Sequence, residues 1–192
     1  MPFYYYYDPT YSLVLIGLLL CLAASARVRS TYAKYGRVRS RSGLTGREAA
    51  EQILRSAGIY DVRIEHVSGN LTDHFDPGNR VLRLSDATYQ SASVAAVGVA
   101  AHECGHAIQH SRGYAPLKIR SAIVPVANFG SAIAWPLILL GLLFNSRSSY
   151  LLIQIGILAF SFAVLFQLVT LPVEFNASRR AVQILGRSEE RR

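Results

Sequence analysis

Three stretches of the chain carry no charged residue, and they set its architecture. Tyr11 to Ala26 holds 16 residues, and Ser121 to Phe144 and Tyr150 to Val173 hold 24 each. A helix needs about 20 apolar residues to cross the hydrocarbon core of a bilayer. The two longer runs therefore predict transmembrane helices at 121–144 and 150–173, and the shorter one a span at 11–26. Ala24-Ser25-Ala26 looks like a leader cleavage site, yet no Lys or Arg precedes the first run. Arg27, Arg29, Lys34, Arg37, Arg39, Arg41 and Arg47 follow it instead. Basic residues after an apolar run, with none before it, mark an anchor rather than a cleaved leader.

Between the first two spans the periodicity changes. Thr45-Gly46-Arg47-Glu48 fits a capping box, and Ala49, Ala50, Ile53, Leu54 and Ala57 follow at helical spacing up to Gly58, a plausible stop. Val62, Ile64 and His66 alternate with Asp61, Arg63 and Glu65, which predicts a short strand. Residues 70–79, NLTDHFDPGN, are turn-rich. Arg80 to Leu84 predicts a second strand, read as an ordinary edge strand in preference to one that pairs with an extended substrate. A helix rich in Ala, Gly and Ser, capped by Ser85 or Ser91, then runs to about His110.

Composition agrees with a membrane protein: 51% of residues are hydrophobic, yet the formal charge is +8. The charge is unevenly placed. The segment before the first span has no Lys or Arg, and the 145–149 loop has only Arg147. Basic residues are retained in the cytoplasm. The expected organisation is an extracytoplasmic N-terminus (1–10), spans at 11–26, 121–144 and 150–173, and an outer loop at 145–149. A cytoplasmic region at 27–120 and a cytoplasmic tail at 174–192 complete it. Topology accounts for the arginines, and no nucleic-acid recognition motif accompanies them. Cys21 and Cys104 fall in different helices, so no structural disulfide is expected.

The chemistry concentrates in VAAHECGHAIQH, residues 99–110, where His102, Glu103 and His106 spell H-E-x-x-H. Residues i and i+4 share a helix face, so the two imidazoles can hold one ion while Glu103 reaches a water beside it. A catalytic zinc takes a third protein ligand and keeps one position open. The extended motif with a third histidine is absent, because Arg112 and Gln109 occupy its His and Gly positions. His110 lies two turns from His102, too far to share a small ion. Cys104 projects to the opposite side of the helix. Asp73, His74 and Asp76 cluster in the turn-rich loop and are candidates, although such residues usually bond their own backbone. Glu174 is the strongest candidate. It is the first charge after the third span, and a carboxylate at a membrane edge needs a cationic partner.

With VAAHECGHAIQ, GNLTDHFDP and LPVEFNASRRA in this order, the chain resembles the YugP-like membrane zinc metallopeptidases and, more distantly, HtpX-type membrane proteases. The resemblance implies a mainly α membrane protein: three transmembrane helices and a small α+β cytoplasmic zincin-like region carrying the HExxH helix. It implies one zinc per chain on His102, His106 and Glu174, with Glu103 as catalytic base. HtpX-like relatives have an aspartate four residues after the glutamate ligand; here that residue is Ser178, so Asn176, Ser178 or Asp73 must orient the histidines instead. Arg179, His110 and Tyr114 are candidate oxyanion donors.

The expected activity is zinc-dependent hydrolysis of peptide bonds in membrane proteins, or in proteins at the cytoplasmic membrane surface. Its partners are therefore the lipid bilayer and protein or peptide substrates, with no nucleic acid. The rival reading is a zinc-binding membrane scaffold with little or no proteolysis. An intact Glu103 argues against it, since a structural site has no use for a base.

Overall fold

The computed structural model describes residues 10–144 and 147–190. The expected outer N-terminus up to residue 9, Asn145 and Ser146 of the expected outer loop, and the last two arginines of the tail lie outside the described residues. Among the described residues, three helices are long and apolar enough to cross a membrane. All three outrun the uncharged segments within them. Helix α1 (Thr10–Gly36) continues through the basic residues after Ala26. The last two helices of the chain run Ala115–Leu143 and Arg147–Glu190. Charge ends an apolar run, but it does not end a helix, because Arg and Lys are good helix formers. The last helix also passes through Pro172 without a break. The expected tail is therefore a continuation of the third apolar helix, and Glu174 stands on regular helix.

Between α1 and the second apolar helix lie α2 (Gly46–Ser56), β1 (Arg63–Val67), β2 (His74–Asp76), β3 (Val81–Ser85), the single turn α3 (Asp86–Tyr89) and α4 (Val94–Ser111). The long helices that follow are α5 and α6. The capping box on α2 is complete. Thr45 Oγ1 accepts the Glu48 N–H, and the Thr45 N–H donates to Glu48 Oε2 at 2.8 Å. Gly58, at φ +74°, follows the helix in the left-handed region that glycine adopts freely.

The sheet order is β1-β3-β2, with β3 parallel to β1 and antiparallel to β2. The 81–85 strand is thus central, not an edge strand. Burial explains this: Val81, Leu82, Leu84 and Ser85 are all buried, as befits a strand covered on both faces. The edges are β1 and β2, and β2 forms inside the turn-rich segment. Asp76 accepts the N–H groups of Gly78 and Asn79 at 3.0 and 3.1 Å, closing the turn that returns the chain as β3.

Helix α4 is capped by Ser93, whose side chain accepts the Ala96 N–H. The two serines favoured on sequence do other work. Ser85 ends β3 and precedes α3, and the Ser91 hydroxyl bonds that of Ser93 at 3.0 Å. Ala100, Ala101, Cys104, Ala107 and Ile108 of α4 form one core with Ile53 and Leu54 of α2 and Leu82 and Leu84 of β3. Residues 38–40 strap the end of α1 to the start of α4, through Val94 N–H to Val38 O and Ser40 N–H to Ala92 O, both 2.8 Å.

Helices α5 and α6 pack closely along their length. A Cβ on Gly156 would lie 2.9 Å from Ala134 O, and one on Gly141 2.9 Å from Ser149 O, so both glycines are required by backbone approach. Their outer faces leave Phe129, Trp135, Leu142 and Leu165 exposed, and the apolar part of α1 is exposed throughout. An apolar surface of this extent marks contact with lipid or with other apolar partners.

Candidate metal centre

Helix α4 presents two histidines one turn apart, and α6 lies against the same face. The close approach is made at Gly105, where a Cβ would lie 2.7 Å from Ala177 O. It brings Glu174 onto the histidine pair: Glu174 Oε2 is 3.3 Å from His102 Nε2 and 3.4 Å from His106 Nε2. Among the described residues these three form a group of His, Cys, Asp or Glu side chains whose ligand atoms lie within 4.8 Å of one another. Two donors held tetrahedrally about 2.0–2.1 Å from a zinc ion are roughly 3.3 Å apart. The two measured separations match that edge, and the nitrogen–nitrogen–oxygen set is one zinc accepts, so the residues fit the metal.

The ring nitrogens remote from Glu174 are both engaged. His102 Nδ1 is 3.2 Å from Ser178 Oγ, and His106 Nδ1 is 3.1 Å from Gln109 Oε1. Glu174 Oε1 accepts from Arg120 NH1 at 2.8 Å, which leaves Oε2 to the histidines. The neighbouring Glu174 holds His102 above the ordinary histidine pKa, against the effect of its burial.

The sequence matches the family described as "Putative neutral zinc metallopeptidase" over residues 10–190. The chain belongs to that family. The "Putative membrane protease YugP" of Bacillus subtilis (strain 168) is 50% identical over 173 residues, covering 90% of this chain and 76% of the relative. No solved structure matches the chain.

Within this metallopeptidase framework Glu103 stands on the flank of α4 that faces β2. Its Oε2 accepts the Phe75 N–H at 3.0 Å. Burial pushes the Glu103 carboxyl above its ordinary range, while the His106 and His102 charges pull it back. Cys104 points away into the core. Its thiol lies 3.7 Å from Ala50 O, and burial raises its pKa far above the usual range, which suits packing rather than ligation.

The remaining candidates separate by position. Ser178 meets His102 directly. Asn176 is one step removed, accepting from Gln109 Nε2 at 3.0 Å and from Arg180 Nε at 2.7 Å. Asp73 is spent on Ser85, accepting its N–H and its hydroxyl at 2.8 Å each, and so ties the β2 approach to the end of β3. His74 and Asp76 belong to β2: Asp76 accepts from Arg83 NH1 at 3.1 Å, and the His74 ring lies 3.4 Å from the same nitrogen. The exposed His110 ring packs near Phe75, with centroids 5.8 Å apart. Tyr114 is the N-cap residue of α5, and Arg179 is exposed on α6.

Two residues escaped sequence reasoning. Gln109 is fully buried, one turn beyond His106 in a helix of small apolar residues, and that isolation is a signal a sequence can carry. Arg120 is the last charge before the second apolar run, the mirror of the position that singled out Glu174. A cavity of about 600 Å³ lies on another flank of α4, between α2 and the end of α6. Ile53, Val97, Ile108, Arg112, Arg180 and Ile184 contribute to its lining, so it is separate from the histidine pair.

Proposed function

We propose that the protein is a zinc-dependent membrane endopeptidase in which His102, His106 and Glu174 hold the metal and Glu103 is the general base. The observation that carries this reading is the convergence of both Nε2 atoms on one Glu174 oxygen, with Glu103 adjacent on the same helix. Zinc, when bound, supplies an acidified water and polarises the scissile carbonyl. The chain does the rest. Glu103, anchored through one oxygen by the Phe75 N–H, takes the proton of the attacking water and passes it to the leaving amine. Arg120 keeps the second oxygen of Glu174 occupied, so that the carboxylate offers one oxygen to the site.

The edge strand β2 suits the binding of an extended substrate. Its outer side runs past Glu103, and a peptide added there as a further strand lies beside the base. The substrates are membrane proteins or proteins at the membrane surface, because Glu174 and Arg120 adjoin the two apolar runs. The charge distribution supports an orientation with residues 27–120 and the end of α6 in the cytoplasm and the N-terminus outside.

Glu103→Gln tests the assignment. Purified in detergent, this variant is expected to retain zinc at the wild-type level and to lose cleavage of a casein-type or membrane-protein substrate by at least 100-fold, the lower range for removing a general base. Wild-type cleavage in the variant contradicts the role of Glu103, and a wild-type chain that carries zinc but cleaves nothing favours a scaffold.

A further inference from the structure

A histidine that ligates through Nε2 must carry its proton on Nδ1. The structure secures this differently for the two histidines. Ser178 faces His102 Nδ1, and a hydroxyl donates or accepts equally well, so that contact leaves the tautomer open. The partner of His106 is an amide whose orientation can be worked out from its far end.

The Val173 carbonyl only accepts, and it lies 2.9 Å from Gln109 Nε2, so that atom is the amide nitrogen. Asn176 Oδ1 accepts from the same nitrogen at 3.0 Å. Asn176 is oriented in turn by Arg180, whose Nε–H can only donate and reaches Oδ1 at 2.7 Å. Every link has one polarity. Gln109 Oε1 therefore faces His106 Nδ1, and an amide oxygen can only accept, so Nδ1 carries a proton and a metal ion can be held only through Nε2, the nitrogen facing Glu174.

We propose that Gln109 is a positioning residue: held by Val173 and by the Asn176–Arg180 pair, it keeps a proton on His106 Nδ1 and so turns Nε2 toward a metal ion. Its purpose rests on the zinc-site reading above, but the proton on Nδ1 is a property of the metal-free chain. Gln109 does a second thing. The carbonyl it grips belongs to Val173, the residue before Glu174, so one buried side chain ties the ring on α4 to the carboxylate on α6. The grip is also neutral. A carboxylate in this position would push negative charge onto the imidazole, whereas an amide orients the ring without doing so.

The test uses the full chain in detergent micelles, labelled with 15N-histidine and free of metal, at about pH 8.5, above the ordinary histidine range. Gln109→Met matches the volume and removes every polar atom. Asn176→Asp keeps an oxygen for both Gln109 and Arg180. The wild type and Asn176→Asp are expected to show His106 protonated on Nδ1, and Gln109→Met a mixture of tautomers. Zinc affinity, read by competition with a chromophoric chelator, is expected to fall about 10–100-fold in Gln109→Met and to stay close to wild type in Asn176→Asp.

Asn176→Ala frees one of the two acceptors of Gln109. It carries the test should the methionine variant lose helix content, and it is expected to shift both readouts in the same direction by less. Unchanged Nδ1 protonation and affinity in these variants, or a wild-type His106 without a proton on Nδ1, overturns the proposal. A wild-type chain with the expected tautomer and no affinity for zinc refutes the zinc reading and supports the tautomer assignment.

Discussion

Gly105→Ala is expected to damage the metal centre far more than the fold. The added Cβ would sit 2.7 Å from Ala177 O, 3.1 Å from Ala177 Cα and 3.2 Å from its carbonyl carbon. All three are backbone atoms of α6, so no side chain can swing aside. Restoring an ordinary contact of about 3.4 Å requires α6 to recede by roughly 0.7 Å. Strain from one extra methyl in a packed contact costs about 1–3 kcal/mol, and alanine recovers about 1 kcal/mol of helix propensity over glycine. Net destabilisation is therefore about 0–2 kcal/mol, small enough to leave the protein folded.

The same recession carries Glu174 away from the histidines on α4. The present separations are 3.3 and 3.4 Å, and metal sites tolerate about 0.2 Å of departure in ligand distance. A loss of at least tenfold in zinc affinity follows, about 1.4 kcal/mol. Gly98→Ala is the control. It lies on the same helix, and a Cβ there meets nothing within 4 Å, so it should stabilise by about 0.5–1 kcal/mol with no change in affinity. Thermal unfolding by circular dichroism and chelator competition give the two readouts. Wild-type zinc affinity in Gly105→Ala would refute the claim that helix approach at Gly105 sets the ligand spacing.

Two further predictions concern single side chains. Ser178→Asp places a carboxylate where the hydroxyl meets His102 Nδ1, and should tighten zinc binding by about tenfold in the same competition assay; weaker binding contradicts the orienting role given to this position. Asp76, held by Asn79, Gly78 and Arg83, has its pKa lowered to about 2 from 3.8. The folded-state pKa is depressed, so its stabilisation is complete above about pH 4 and disappears as pH falls through about 2. Asp76→Asn should therefore unfold at a lower temperature than wild type near neutrality, with the difference shrinking below pH 4; a constant difference down to pH 2 contradicts the assignment.

Local pattern made some of this structure legible and hid the rest. The capping box at Thr45, the stripe that starts at Ala49 and the three apolar runs are local features, and each falls on a single helix or its caps. The order of strands is not local. Nothing in VLRLS says that β2 will pair on its other side, and β2 itself is three residues long, framed by Asp, Pro, Gly and Asn. The helices run past their uncharged segments for a different reason, since charge ends an apolar run without ending a helix.

At the metal centre, H-E-x-x-H advertises itself because both histidines lie on one helix. Glu174 stood out as the first charge after the third apolar run, and the fold brings it to both histidines. Gln109 and Arg120 were not, because their roles exist only once α5 and α6 are laid against α4. In place of a carboxylate, two neutral groups face the outer ring nitrogens, Ser178 at His102 and Gln109 at His106.

The central claim is that one zinc ion is held by two helices through His102, His106 and Glu174. Its most direct test is the zinc retained after dialysis by the wild-type chain and by Glu174→Ala, both in detergent and both with native helix content. About one zinc per chain is expected in the wild type, as a three-ligand site requires, and little in the variant. Equal retention in the two proteins would contradict it.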